Sequence, residues 1–324
     1  MKKILITLLA GMFLAPAFVS AQAATINLTS TQVAQIAACD DFDQCPEVRE
    51  LLIELLRGIV TELLQDKIAE AKEQTGTADY SDFEDATYQV LSSAKLAGQS
   101  IGAVPDISVE IWEQFVKVAP REYIDDFVSY MRVYYDEDDF SAAYVETDAN
   151  DSEKWGLGIN LSDLDTSSVS QRKNLAETLI HEFAHIVTLN IDQLDSSVSE
   201  RRCGTYFPGE GCTYKNSYIN EFVEEFWDDN DFDNSEAIED EDDPDEKDEI
   251  ADEYFEDHIN DYVTAYASWH PAEDIAESFA YFVLQDKPEG NKEVDQKLQF
   301  FYDYSELVTM RTTIRNNFKD LFNF

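Results

Sequence analysis

The segment from Asn174 to Asn190 reads NLAETLIHEFAHIVTLN, and the pair His181 and His185 at its centre constrains this chain more than any other feature. Residues four apart lie on one face of a helix, so the two imidazoles can converge on one point. The segment reads as a helix independently of that pair. Leu175, Leu179, Ile180, Phe183, Ile186 and Val187 form an apolar face, and neither Gly nor Pro interrupts them. Glu182 sits beside the point of convergence without being needed as a ligand. Two neutral imidazoles and an adjacent carboxylate are what a catalytic zinc requires: two nitrogen ligands and a base for its water. A His pair on an apolar helix can also be plain core. This chain has only four histidines, however, and two of them form the HExxH pattern. Its chance occurrence in so His-poor a chain is on the order of one per cent.

A third ligand is sought downstream. Tyr262 to Leu284 reads YVTAYASWHPAEDIAESFAYFVL, where Pro271 suits a first helical turn and Ile275, Ala276, Phe279, Phe282 and Val283 continue an apolar pattern. Glu273 and Glu277, four apart, share one face of that helix. Such a pair can divide the work around a metal. One carboxylate coordinates, and the other accepts a hydrogen bond from a ligand imidazole and fixes its tautomer. The competing reading, in so acidic a chain, is a solvated face.

These motifs resemble those of the gluzincin metallopeptidases, in which HExxH is completed by a Glu on a later helix. The arrangement is most similar to the anthrax lethal factor and Pro-Pro endopeptidase group. There a Tyr precedes the ligand Glu by seven residues and a second Glu follows four later, places held here by Tyr266, Glu273 and Glu277. The resemblance spans Val128 to Phe324. It implies that Glu273 is the zinc ligand alongside His181 and His185, and that Glu277 stands behind His181. It also implies zinc-dependent peptide hydrolysis, with Glu182 as general base and the Tyr266 hydroxyl as donor to the developing oxyanion. The long acidic insertion departs from the group, so the resemblance carries no particular substrate. His258 and His270 are the alternative nitrogen ligands. The first falls in an acidic run read as mobile, and the second lies beside Pro271, where capping a helix or lining a cleft suits it better.

The flanking sequence sets the context. Lys2 and Lys3, the apolar stretch Ile4 to Val19 and the Ala21-Gln22-Ala23 pattern read as a secretory signal peptide over residues 1–23. The expectation is an exported protein, in the periplasm or outside the cell. Four cysteines in an exported chain suggest disulfides, and their spacing favours Cys39 with Cys45 and Cys203 with Cys212. The 68 acidic against 23 basic residues give a formal net charge of −45, which repels nucleic acid and anionic membrane surfaces as partners. The expected partner is a peptide or protein substrate. Oligomeric state is not legible.

Taken in order, residues 24–104 read as a helical N-terminal region, an accessory subdomain or a pro-segment. It has helices from Cys45 to Glu73 and from Asp82 to Leu96, and a linker over Gly98 to Pro105. The catalytic domain is placed at 105–324. It opens with helices over 107–118 and 120–126, then a strand over 128–135, then a hairpin of 142–148 and 155–161 whose second strand, WGLGINL, suits the edge of a cleft. Residues 191–260 form an acidic insertion. Between Asp228 and Asp257, 18 of 30 residues are Asp or Glu, and Asp229, Asp231 and Asp233 are spaced like the first ligands of a calcium loop. Asn234 then replaces the usual Gly, and Asp240 the usual Glu. The reading is an α+β protein with a zincin-like domain holding a small mixed sheet and an active-site helix, acting as a secreted zinc endopeptidase. The alternatives are a catalytically silent zincin-fold binding or surface protein and an acidic calcium-binding protein.

Overall fold

Alternation of apolar and polar residues builds the sheet on which the HEFAH helix rests. The computed structural model describes residues 80–324, apart from 140, 163, 165 and 167. The signal peptide, the Cys45–Glu73 helix, the pro-segment reading and the Cys39–Cys45 pairing lie outside the described residues. The described part belongs to one compact unit, Ala78–Phe324.

In chain order that unit begins with strands β1 (Ala86–Leu91) and β2 (Lys95–Leu96), followed by helices α1 (Asp106–Val118) and α2 (Arg121–Phe127). Next come β3 (Val128–Tyr134), β4 (Ala143–Asp148), β5 (Asp151–Asn160) and the long helix α3 (Val169–Leu189). A short ribbon of β6 (Leu194–Asp195) and β7 (Cys212–Thr213) precedes α4 (Tyr218–Phe226), α5 (Asp229–Asp240) and α6 (Pro244–Asp257). The chain ends with α7 (Pro271–Leu284), α8 (Glu293–Phe300) and α9 (Ser305–Phe322). The class is α+β with a small mixed sheet, of order β2-β1-β3-β5-β4. Strand β3 runs parallel to β5, and the other pairings in that sheet are antiparallel.

Expectations about two regions of the chain are corrected here. Residues 82–96 are not a helix. Thr87, Tyr88 and Val90 favour a pleated strand, and β1 shows period-two burial against β3. Strands β1 and β2 therefore share a sheet with β3 to β5, and the domain boundary expected near 104 falls inside one unit. The expected linker is a tight turn in that unit, with Gly98 and Gly102 at φ of 88° and 69°. The second correction concerns the rim. WGLGINL is not the edge strand, because β3 pairs along its far side; the edge is β4.

One sheet face carries Met131, Val133, Leu157 and Ile159, all at most 1% exposed, into the core shared with Leu179, Ile180, Phe183 and Ile186 of α3. The opposite face explains the two glycines of β5. The Tyr130 ring lies where a Cβ on Gly156 would be, and the Tyr144 ring does the same over Gly158.

Helix α7 packs along α3 and is held at both ends. Arg311 and Arg315 of α9 donate to the carbonyls of Phe282, Val283, Leu284 and Gln285, which the end of the helix leaves unsatisfied. Near its start, fully buried Asp274 pairs with fully buried Lys297 of α8 at 2.8 Å and accepts the Trp227 indole N–H at 2.9 Å.

The acidic run, read as solvated and mobile or alternatively as holding a calcium loop, is instead two docked helices. Asp228 caps α5 by accepting from the backbone N–H of Asn230 at 2.7 Å and Asp231 at 3.3 Å. Asp231, the second residue of the expected loop, accepts the hydroxyls of Tyr254 at 2.8 Å and Tyr262 at 2.6 Å. A helix spreads residues 229, 231 and 233 around its axis rather than converging them, so the loop reading fails. Buried Asn234 and Ser235 then donate to the carbonyls of Ser268 and Trp269. The insertion thereby anchors the turn that carries Tyr266.

Candidate metal centre

Helix α3 starts at Ser168, whose side chain accepts from the Gln171 N–H at 3.1 Å, and runs uninterrupted through the motif. Its packing between sheet and α7 leaves His181, Glu182 and His185 only 6–8% exposed. On α7, His270 is the N-cap. Its Nδ1 accepts the Ala272 N–H at 3.1 Å, and Pro271 follows at the first helical position. That bond leaves the ring proton on Nε2, which lies 3.1 Å from the Tyr206 hydroxyl. Burial lowers the His270 pKa and keeps the ring neutral. His270 is thus committed to capping. His258 is elsewhere, stacked on Tyr254 at 4.0 Å with Nδ1 bonded to the Tyr254 carbonyl.

The two helices bring His181, His185 and Glu273 together. The Nε2 atoms of the histidines are 3.1 Å apart, and Glu273 Oε2 lies 3.1 Å from one and 3.4 Å from the other. A tetrahedral ion with ligand bonds of about 2.0–2.2 Å separates any two donors by roughly 3.3–3.5 Å, so this triangle fits one with little adjustment. Among the described residues this is the one group of three His, Cys, Asp or Glu side chains able to hold a metal ion. Without a cation between them, three lone-pair donors this close repel. Burial works against charging His181, but its hydrogen bonds to Glu273 and Glu277 push its pKa up to about 10. Burial likewise opposes ionisation of Glu273, yet His185 and His181 hold its carboxyl well below the ordinary range.

Glu277 occupies the layer behind. Its Oε1 lies 2.8 Å from His181 Nδ1, which fixes Nε2 as the atom facing the metal position. Its other oxygen accepts the Thr264 hydroxyl at 2.8 Å, and Thr264 in turn accepts the Ala267 N–H at 3.2 Å. Thr264 escaped the sequence reading; its signal was a hydroxyl just upstream of Tyr266.

Glu182 is buried at the floor of this group, 6% exposed. Burial raises its pKa, and the adjacent His181 and His185 pull it back. The N–H of Val145 on edge strand β4 donates to its carboxylate. Tyr266, 43% exposed, has its ring centre 6.0 Å from that of His181. Desolvation of its hydroxyl and the nearby Glu273 and Glu182 carboxylates push its pKa upward, so it stays a protonated donor.

These groups line a cleft of about 240 Å³ together with Ala143 and Val145 of β4, and with Glu210, a residue the sequence did not single out. Glu210 sits in the loop closed by the Cys203–Cys212 disulfide, whose Cα atoms are 5.3 Å apart. That pairing is as the cysteine spacing predicts. No helix among the described residues is long and apolar enough to cross a membrane. A scan against protein-family models, a search of the curated proteins and a search of the solved structures each return no match to this chain.

Proposed function

We propose that this chain is an exported zinc-dependent endopeptidase of gluzincin type. The observation that carries the reading is the convergence of His181, His185 and Glu273 within 4.8 Å, with Glu182 enclosed beside them. Two imidazoles and one carboxylate suit zinc, and the three-ligand set leaves a fourth position for water or substrate. When bound, zinc supplies a Lewis acid that polarises the peptide carbonyl and acidifies water.

The rest of the chemistry falls to the protein. Glu182 takes the proton of the attacking water and returns it to the leaving amine, a role suited to a buried carboxyl whose pKa burial raises. The Tyr266 hydroxyl donates to the oxyanion that develops on the peptide and adds no charge to the cleft. Glu277 and Thr264 hold His181 in one tautomer and one orientation. Strand β4 is the sheet edge, and its Ala143 and Val145 line the cleft, so an extended peptide can pair alongside it and bring the scissile bond over the metal position. A silent binding protein has no use for the Glu182 carboxylate buried at such cost, which favours the enzyme reading.

The test is the metal content of purified, dialysed protein, together with digestion of casein or a peptide library with and without a chelator. One zinc per chain and chelator-sensitive cleavage are expected. Metal-free protein that acquires no zinc on titration would overturn the reading.

A further inference from the structure

Three carboxylates line the cleft, and the proposed chemistry employs two of them. Glu182 is the base and Glu273 the ligand; Glu210 has no task. It is not part of the metal group, since the donors that converge within 4.8 Å belong to His181, His185 and Glu273. Its Oε2 is shielded from solvent and has no hydrogen-bond partner among the described residues. Burial raises its pKa, its own backbone N–H and nearby His185 act the other way, and Glu273 adds to the rise.

The loop that presents it is rigid and built around it. Gly209 sits at φ 117°, which side-chain-bearing residues rarely adopt, and a Cβ on Gly211 would come 2.7 Å from the Asp195 carbonyl. Glycines on both sides of Glu210 thus turn it inward. The Cys203–Cys212 bridge closes the loop, and Thr205 Oγ1 donates to the Thr213 carbonyl across it. Asn220 accepts from the Tyr206 N–H at 3.1 Å and from the Thr213 hydroxyl at 3.2 Å, tying the loop to α4. An inward carboxylate oxygen without a partner, held on a stiff loop, complements a cation that arrives with the substrate. The −45 net charge of the chain draws cationic peptides toward that cleft.

We propose that Glu210 is the specificity-determining residue of this cleft and receives a lysine or arginine side chain close to the scissile bond of a peptide substrate. The inference rests on the peptidase reading for its setting. Its test is therefore a binding measurement that does not need turnover.

Labelled peptides that differ only in Lys against norleucine, placed at each position around a central bond, are titrated into zinc-supplemented Glu182→Gln protein and into Glu182→Gln/Glu210→Gln. The Lys peptide is expected to bind about 10- to 100-fold more tightly at one position, and the second substitution to abolish that preference. Glu210→Lys is expected to reverse it toward Glu-containing peptides. Zinc content measured in parallel should be equal in all three proteins. Equal binding of Lys and norleucine peptides at every position would overturn the proposal, as would a preference that survives Glu210→Gln. Loss of zinc in Glu210→Gln would overturn it too, by making Glu210 a metal ligand. Wild-type protein that cleaves no peptide, yet shows the Glu210-dependent preference, would sink the peptidase reading and leave Glu210 as the cation-receiving residue of a peptide-binding cleft.

Discussion

Glu277 and His181 are 96 residues apart in sequence and 2.8 Å apart in space, carboxylate oxygen to Nδ1. Glu273, one turn earlier on the same helix, meets the other ring nitrogen of His181 at 3.1 Å. One imidazole is therefore gripped from both sides by one helix, and the two carboxylates have different tasks. Removing them should have different consequences. Glu273→Ala deletes a proposed ligand and is expected to lose stoichiometric zinc after dialysis. Glu277→Ala leaves all three ligands and releases only the orientation of His181, so zinc affinity should fall about 10- to 100-fold. Competition against a chromogenic chelator reads both, and the opposite ranking would exchange the two roles.

Glu182→Gln is nearly isosteric and keeps the Val145 N–H as a neighbour, but an amide cannot accept the proton of water. Zinc content and thermal midpoint should be unchanged. Cleavage should fall by about 10²- to 10⁴-fold, the usual contribution of a positioned general base. Wild-type turnover in a zinc-loaded Glu182→Gln protein would remove that residue from the chemistry.

Much of this centre was legible before any coordinates. The spacing of Leu175, Leu179, Phe183 and Ile186 marks α3, and Pro271 followed by Ile275, Phe279 and Phe282 marks α7. Local periodicity carries that information, and both helices obey it. What escaped depends on partners far along the chain. The strand at 86–91 is a strand because β3 is there to pair with it, and β4 rather than β5 is the edge because β3 takes the other side. The acidic run looked like a solvated tail by composition. Its few uncharged residues, Asn234, Ser235 and Ile238, dock it instead. Glu210 was one acid among 68 until the disulfide loop turned it into the cleft.

Lys297 pairs with the neighbour of Glu273 at the start of α7. Its ammonium is 2.8 Å from Asp274, the residue after the candidate ligand, and 3.8 Å from the centre of the Tyr262 ring. Neither side chain of the pair reaches solvent. Lys297→Met leaves the Asp274 carboxylate buried and unpaired, at a cost of about 3–5 kcal/mol in urea unfolding of the metal-free protein. The double variant Lys297→Met/Asp274→Leu should recover part of that loss, because it removes the stranded charge as well. A double variant no better than the single would show the pair to be net stabilising by its attraction.

The disulfide closes a short loop, so its removal by Cys203→Ser/Cys212→Ser should cost about 2–3 kcal/mol through freedom restored to the unfolded chain. The proposed metal ligands lie on other elements, so zinc should remain. The side chain that moves is Glu210, and discrimination between Lys and norleucine peptides should weaken with it. Unchanged discrimination would mean that Asn220 and the glycines alone position the loop.

Tyr266 offers the sharpest separation of binding from catalysis. Its ring packs 5.2 Å from that of Trp269, in the turn held by Asn234 and Ser235, so Tyr266→Phe should keep the ring in place. The lost hydroxyl is a neutral donor whose proton is retained by desolvation and by the nearby Glu273 and Glu182 carboxylates. A donor of that kind strengthens its bond as charge develops on the peptide oxygen. Its removal should therefore lower kcat by about 10²- to 10³-fold and leave KM nearly unchanged. Zinc content serves as the control. A rise in KM with kcat intact would instead make Tyr266 a contact for the ground-state substrate, and oxyanion stabilisation would then rest on the metal alone.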